Sequence, residues 1–371
     1  MKGTVLITGG AGFIGSHVAS NLLEAGYQVR ILDSLIPQVH GTAPQRPSYL
    51  HKDAELIVGD IRDPAILEEA LSGVDAVYHF VALVGVGQSM YQIAEYTSVN
   101  NSGTAALLEQ LVKRPVDKLI VASSMSVYGE GLYLTPDGKQ CDHAIRTAAQ
   151  LKAHKWEMTT PEGLPLRPVA TPETKQPSLA SVYALSKYDQ EQMCLMVGRA
   201  YGIPTVALRF FNVYGPYQSL SNPYTGVLAI FASRLLNGKR PIIFEDGRQL
   251  RDFVSVYDIA QACRLALEKD AARDLVFNVG SGQTVTVTEV AEGLAKVLGK
   301  RIDPEISSKY RVGDIRHCFP DISLARKVLG YKPAFTLEEG MRELAEWLDQ
   351  QTADDRFNEM RAELTSRGLV V

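Results

Sequence analysis

The chain has 371 residues, 46% of them hydrophobic and 22% charged, and its 38 Lys and Arg against 42 Asp and Glu leave a formal charge of −4. That length suits a large two-lobed unit with a substantial core, and the mildly acidic balance lacks the basic field that non-specific nucleic-acid binding needs. No apolar run approaches the length that spans a bilayer. The first residues read as strand and turn rather than as a signal peptide, and the four widely spaced cysteines, with no C-x-x-C pair, read as reduced thiols of a cytoplasmic protein.

Short Val/Ile/Leu-rich runs alternate with amphipathic segments from the N-terminus onward. Strands are expected at 4–8, 28–32, 55–58, 76–80, 118–122 and 205–209, and helices at 12–25, 64–71, 103–113 and 182–201. Strands apolar on both faces and separated by helices predict an α/β fold, a Rossmann-type doubly wound parallel sheet with a smaller C-terminal substrate-binding lobe. Residues 1–209 read as the dinucleotide-binding domain, with 251–280 returning to it. Residues 210–250 and 281–350, dense in turn signals, read as the substrate lobe, and 351–371 as a charged, weakly periodic tail without a functional role. Residues 129–179 form a long polar insert with several prolines. It carries Cys141, His143 and His154, fewer than the four ligands of a structural zinc site, so no metal is expected. Its ends flank the catalytic positions described next, which predicts a lid without a core of its own.

Three motifs carry chemistry. Gly9-Gly10-Ala11-Gly12-Phe13-Ile14-Gly15 lies between the first strand and helix, where glycines let the backbone approach a pyrophosphate and a helix N-terminus offers free N–H groups. Asp33 ends the second strand, 18 residues after Gly15, with no Arg or Lys directly behind it, a pattern that favours the ribose diol of NAD over the phosphate of NADP. Asp60 and Ile61 end the third strand, and the Asp60 carboxylate is in place for an adenine amino group, unless it serves as a helix cap. The fifth strand ends in Ser123, Ser124 and Met125. Tyr183 and Lys187 are four apart on one helix face. A lysine ammonium, together with the positive nicotinamide ring, favours phenolate over phenol, so Tyr183 is expected to act as a general base near neutral pH.

Taken together, GGAGFIG, SSMSVYG, YALSK, RFFNVYGP and RDFVSVYDIA resemble the extended short-chain dehydrogenase/reductase family, and within it the nucleotide-sugar 4-epimerases, over nearly the whole chain. The resemblance implies NAD as cofactor and Ser124, Tyr183 and Lys187 as catalytic residues, the last two also touching the cofactor, with Ser123, Val81, Ala82 and Asn100 around it. It implies that Asn212 touches the substrate diphosphate and that Arg251 and Arg316 clamp it, while Val84, Gln88, Met125 and Phe244 line the sugar-nucleotide pocket. It also implies a homodimer through helices 103–113 and 182–201. Dehydratases of this family carry an acid pair where this chain has Met125 and Ser126, which disfavours elimination of water. A dTDP- or UDP-linked sugar is the expected partner. The wall 81–87 is apolar, with Arg209 and Arg234 the remaining candidates for a C6 carboxylate, and this suits a 6-deoxy sugar such as that of the dTDP-L-rhamnose 4-epimerases. UDP-glucose or UDP-glucuronate epimerisation, dehydration, 4-keto reduction and a non-catalytic NAD-binding role stand as the alternatives.

Overall fold

The computed structural model describes residues 2–42 and 45–371. Among the described residues one sheet holds seven strands, β1 (Thr4–Thr8), β2 (Gln28–Asp33), β3 (Glu55–Val58), β4 (Ala76–His79), β5 (Lys118–Ser124), β6 (Thr205–Phe210) and β7 (Val276–Val279), in the order β7-β6-β5-β4-β1-β2-β3. Every pairing is parallel. The helices that matter below are α1 (Phe13–Glu24), α2 (Gly103–Lys113), α3 (Val182–Tyr201), α4 (Val227–Leu236), α5 (Val256–Glu268), α6 (Val287–Val297), α7 (Leu337–Leu348) and α8 (Phe357–Ser366).

Side chains of a strand point alternately to its two faces, and here both faces are covered. Val5 and Ile7 of β1 join a core with residues of α1 and α5, whereas Leu6 joins another with residues of α2 and α3. Strands β4 and β5 divide the same way, Tyr78 and Ile120 on one face, Val77, Leu119 and Val121 on the other. The strand order reverses between β1 and β4, so a crevice opens beyond their C-terminal ends. Helices α4, α6 and α7 enclose a separate core around Phe231, Leu294 and Leu344. Capping boxes start α6 and α7, Thr286 with Glu289 and Thr336 with Glu339, each satisfying otherwise orphaned N–H groups.

Two segments depart from expectation. The insert has its own small core. Strands Leu132–Leu134, Gln140–Cys141 and Arg167–Val169 pair antiparallel around Tyr133, Ala144, Met158 and Leu166. Its strands are two or three residues long, too short to show alternation among the prolines. The tail, expected as a surface helix or a partly disordered segment without a role, forms the helix α8 but buries Phe357, Met360 and Leu364. All four cysteines are free. No helix among the described residues is long and apolar enough to cross a membrane, and no three of their His, Cys, Asp or Glu side chains gather as metal ligands.

Candidate active site

Beyond β1 and β4 lies a cleft of about 660 Å³. The loop from β1 to α1 forms its floor. Gly9 has φ +72°, and a Cβ there would sit 2.9 Å from the Val81 backbone nitrogen, while one on Gly15 would sit 2.6 Å from Gly10 Cα. Only glycine lets this loop fold against β4 and against itself. Gly12 caps α1 without a side-chain hydrogen bond, so the first-turn N–H groups of Phe13, Ile14 and Gly15, which line the cleft, remain available to an anion. Asp33 Oδ2 accepts the Ala11 N–H at 3.1 Å and Oδ1 accepts that of Leu35 at 2.9 Å. The carboxylate thereby braces the loop while facing the cleft, where it suits a ribose diol. Asp60 and Ile61 line the same side. Arg62 donates to both Asp60 oxygens at 2.9 and 2.5 Å, which holds the Asp60 carboxyl below its usual range. A glycine cradle, a braced carboxylate and an open helix terminus fit a dinucleotide, and Arg62, already paired, offers no free cation for a 2′-phosphate.

The expected catalytic residues Ser124, Tyr183 and Lys187 come together where β5 meets α3. Ser181 Oγ caps α3 by accepting the Ala184 N–H at 3.1 Å, which sets Tyr183 in the first turn and Lys187 one turn on. The Tyr183 N–H donates to Ser89 Oγ at 3.0 Å, fixing the helix start to the opposite wall. The Tyr183 phenol lies beside Ser124, whose Oγ accepts the Ser126 N–H at 3.2 Å and the Ser126 hydroxyl at 2.9 Å. Lys187 Nζ donates to Gln190 Oε1 at 2.7 Å. The Gln190 amide in turn reaches Thr104 Oγ1 at 2.9 Å and lies 3.1 Å from His79, an imidazole pushed down to about 3 by burial and hence neutral. Burial also pushes Lys187 down to about 8. It pushes the Tyr183 phenol up, against the opposing effect of Ser124. The Lys187 ammonium is directed to Gln190, and desolvation disfavours the phenolate.

Val81, Ala82, Val84, Ser123, Met125, Asn212 and Phe244 all line the cleft. Asn212 Nδ2 donates to the Asp252 carbonyl at 2.8 Å and lies 3.5 Å from the Met125 sulfur. Arg251 is the cation of this wall. Its guanidinium donates to the carbonyls of Leu250 and Arg316, each at 2.9 Å, and of Ile315. Among the described residues no carboxylate pairs with it, and it lines the cleft.

A glycine cradle at the β1/β4 reversal and a Tyr–Lys pair over a strand-end serine frame one site, and residues 5–280 match the model of the NAD dependent epimerase/dehydratase family. The chain belongs to that family. It is 37% identical to the dTDP-L-rhamnose 4-epimerase of Burkholderia thailandensis over 359 residues, 95% of this chain and 96% of that relative. The structure of Thermotoga maritima UDP-glucose 4-epimerase with UDP-glucose superposes with a TM-score of 0.76 at 32% identity, covering 94% and 99% of the two chains. Bacillus cereus UDP-glucuronic acid 4-epimerase, in complex with UDP-glucuronic acid and NAD, superposes with a TM-score of 0.76 at 28% identity, again over 94% and 99%. The protein is an isomerase, and NAD is its cofactor.

Three residues expected at the epimerase site do not reach it. Arg316 is fully buried off the cleft, paired with Asp246 at 2.6 Å, Glu245 at 3.1 Å and Glu157 at 2.5 Å. A guanidinium enclosed this way needs carboxylates to balance it, and here Arg316 serves the site through its backbone carbonyl on Arg251. Gln88 turns away to Gln38 and to the Tyr96 hydroxyl, each at 3.1 Å. Asn100, in the π-helical turn Thr97–Ser102, accepts the Leu83 N–H at 2.7 Å and donates to Ser186 Oγ at 2.9 Å. It ties the wall to α3 rather than lining the cleft. Arg209 and Arg234 are also engaged elsewhere, with Glu191 at 2.7 Å and Asp355 at 3.3 Å. No described residue of the insert lines the cleft, which corrects the lid. The insert's Arg146 and Glu157 pair with Glu245 and with Arg316 and His317, so it buttresses the strip behind Arg251. Cleft-lining residues that went unnoticed are Arg311, 4.9 Å over the Phe244 ring, Gln249, whose buried Oε1 has no partner, and Phe357, Met360 and Leu364 of α8. The last three were legible as an i, i+3, i+7 apolar stripe.

Proposed function

We propose that the protein interconverts the C4 epimers of a nucleotide-diphosphate sugar, dTDP-L-rhamnose and dTDP-6-deoxy-L-talose. The observation that carries the reaction is Ser124, Tyr183 and Lys187 gathered in the one cleft that also holds Arg251. Bound NAD supplies a hydride acceptor that gives the hydride back within the turnover, so none is consumed. Tyr183 takes the proton of the C4 hydroxyl and returns it, and its raised pKa suits the return. Ser124 holds the same oxygen. Lys187, protonated at neutral pH, brings a buried cation one turn from the phenol. The Arg251 fork grips the diphosphate. Val84 and Met125 offer the sugar a smooth apolar wall without an ionic grip, and this lets a 4-keto sugar present either face.

Elimination of water across C5 and C6 is disfavoured because Met125 and Ser126 carry no carboxyl. The 6-deoxy sugar is supported by the engagement of Arg209 and Arg234, which leaves neither for a C6 carboxylate, and by the 37% identity to the Burkholderia enzyme. A homodimer through α2 and α3 is part of this reading, supported by the exposed apolar side chains of Leu185 and Met196 on α3.

The test is incubation of the purified protein with a panel of dTDP- and UDP-sugars without added cofactor. Conversion of dTDP-L-rhamnose to its C4 epimer is expected. Conversion confined to UDP-hexoses overturns the sugar, and stoichiometric consumption of NADPH overturns the reaction.

A further inference from the structure

The segment from 353 onward crosses the mouth of the cleft. Its root is held by the substrate lobe, where Asn237 donates to the Ala353 carbonyl at 2.7 Å and Arg234 and Lys239 pair with Asp355 at 3.3 and 2.8 Å. Its far end is held by the same lobe. Val370 bridges Arg311 in antiparallel register, and Tyr310 and Val371 exchange backbone hydrogen bonds of 3.1 and 3.0 Å. Between these anchors α8 reaches across to the nucleotide-binding half. There Leu364 packs on Gly87 so closely that a Cβ on the glycine would lie 3.0 Å from Leu364 Cδ2, and the Arg367 guanidinium stands 4.1 Å over the Tyr91 ring. Phe357, Met360 and Leu364 face the cleft and share a buried apolar cluster with Ile242 and Phe244.

The two sides of this crossing are unequal. Toward the substrate lobe the segment has ion pairs and backbone hydrogen bonds at both ends. Toward the nucleotide-binding half it has apolar contacts on Gly87 and the half-buried Tyr91 and a cation–π pair on that same ring, interactions that separate without leaving a buried charge or an unpaired backbone group. We propose that α8 is a substrate-binding strap. It travels with the substrate lobe, closes its apolar face over a nucleoside-diphosphate sugar, and lifts from Gly87 and Tyr91 to let that ligand pass. The inference rests on the nucleotide-sugar reading above. It adds Phe357, Met360 and Leu364 to the residues that touch the substrate.

The experiment compares the full chain with a deletion of 352–371 and with a Met360→Ala/Leu364→Ala double variant. In each, KM and kcat for the sugar nucleotide and bound NAD are measured, and trypsin cleavage after Arg361 and Arg367 is followed in the full chain and the double variant. A strap predicts KM raised about tenfold or more, kcat within a few-fold, unchanged NAD content, and protection of Arg361 and Arg367 in the full chain on adding sugar nucleotide. If the deletion does not fold, the double variant decides. Unchanged KM in the double variant together with no protection overturns the strap. Absence of turnover by the full chain on every sugar nucleotide overturns the functional reading instead. In that case protection by dTDP or UDP alone still supports the strap, and its absence overturns it.

Discussion

The two ends of the cleft are built in opposite ways. The cofactor end is local: a glycine loop, Asp33 and Asp60 follow β1, β2 and β3 in turn, each at the C-terminal end of its strand. Its chemistry comes from backbone N–H groups and carboxylates that the strand ends place automatically. The substrate end is assembled at long range. Arg251 is aimed by the carbonyls of Ile315 and Arg316, that strip is pinned by Glu130 and Glu157 of the insert, and the wall is finished by α8. Motif reading succeeds where geometry follows from sequence neighbours. It misassigns side chains where the geometry depends on partners a hundred residues away.

Substitutions probe that contrast, beginning with the largest effect. Tyr183→Phe removes the proposed acid/base group and should lower kcat by roughly 10²–10⁴-fold with bound NAD retained, as read by steady-state assay and cofactor content. Near wild-type turnover would detach the reaction from the local motif. Arg316→Met leaves Asp246 without its buried cation and Glu245 with Arg146 alone, and breaking such a pair is expected to cost about 3–5 kcal/mol of stability in denaturant titration. Raised KM with unchanged stability would restore Arg316 to the diphosphate. Arg251→Ala removes charged hydrogen bonds worth about 1.5–3 kcal/mol, a rise in KM of roughly 10–100-fold with a smaller change in kcat.

The smallest effect concerns the insert. His317, then Arg316, hold the Glu157 carboxyl at about 2, below its ordinary 4.5. A depressed acid stabilises the fold above its unfolded value, so this contribution is present above pH 4.5 and fades as pH falls toward 2. With 57% of its side chain exposed, Glu157 contributes little. Glu157→Gln should flatten only the acid limb of thermal midpoints measured across that window.

Much of the fold was legible because both sheet faces are buried. Val5, Leu6 and Ile7 supply two opposed cores with no polar break, and a run like that reads as an interior strand. Tyr183, Lys187 and Ser124 were legible from spacing and strand position. The direction of the Tyr183 shift was not, because it depends on how completely the site is desolvated and on Gln190 claiming the ammonium. Arg316 and Arg251 look equivalent in sequence, and only the positions of Glu157, Glu245 and Asp246 separate them. The tail's apolar stripe was visible, but its partners Gly87 and Tyr91 lie far upstream.

The position of α8 along the chain also orders events in time. The loop at 9–15, Asp33 and Asp60, and then Tyr183 and Lys187, all emerge during synthesis well before residues 353–371, and chains fold from the N-terminal side as they are made. A nascent molecule thus assembles its dinucleotide cradle while the opposite end of the cleft is still open. The proposed strap, translated after everything it covers, is the last wall of the cleft to be made.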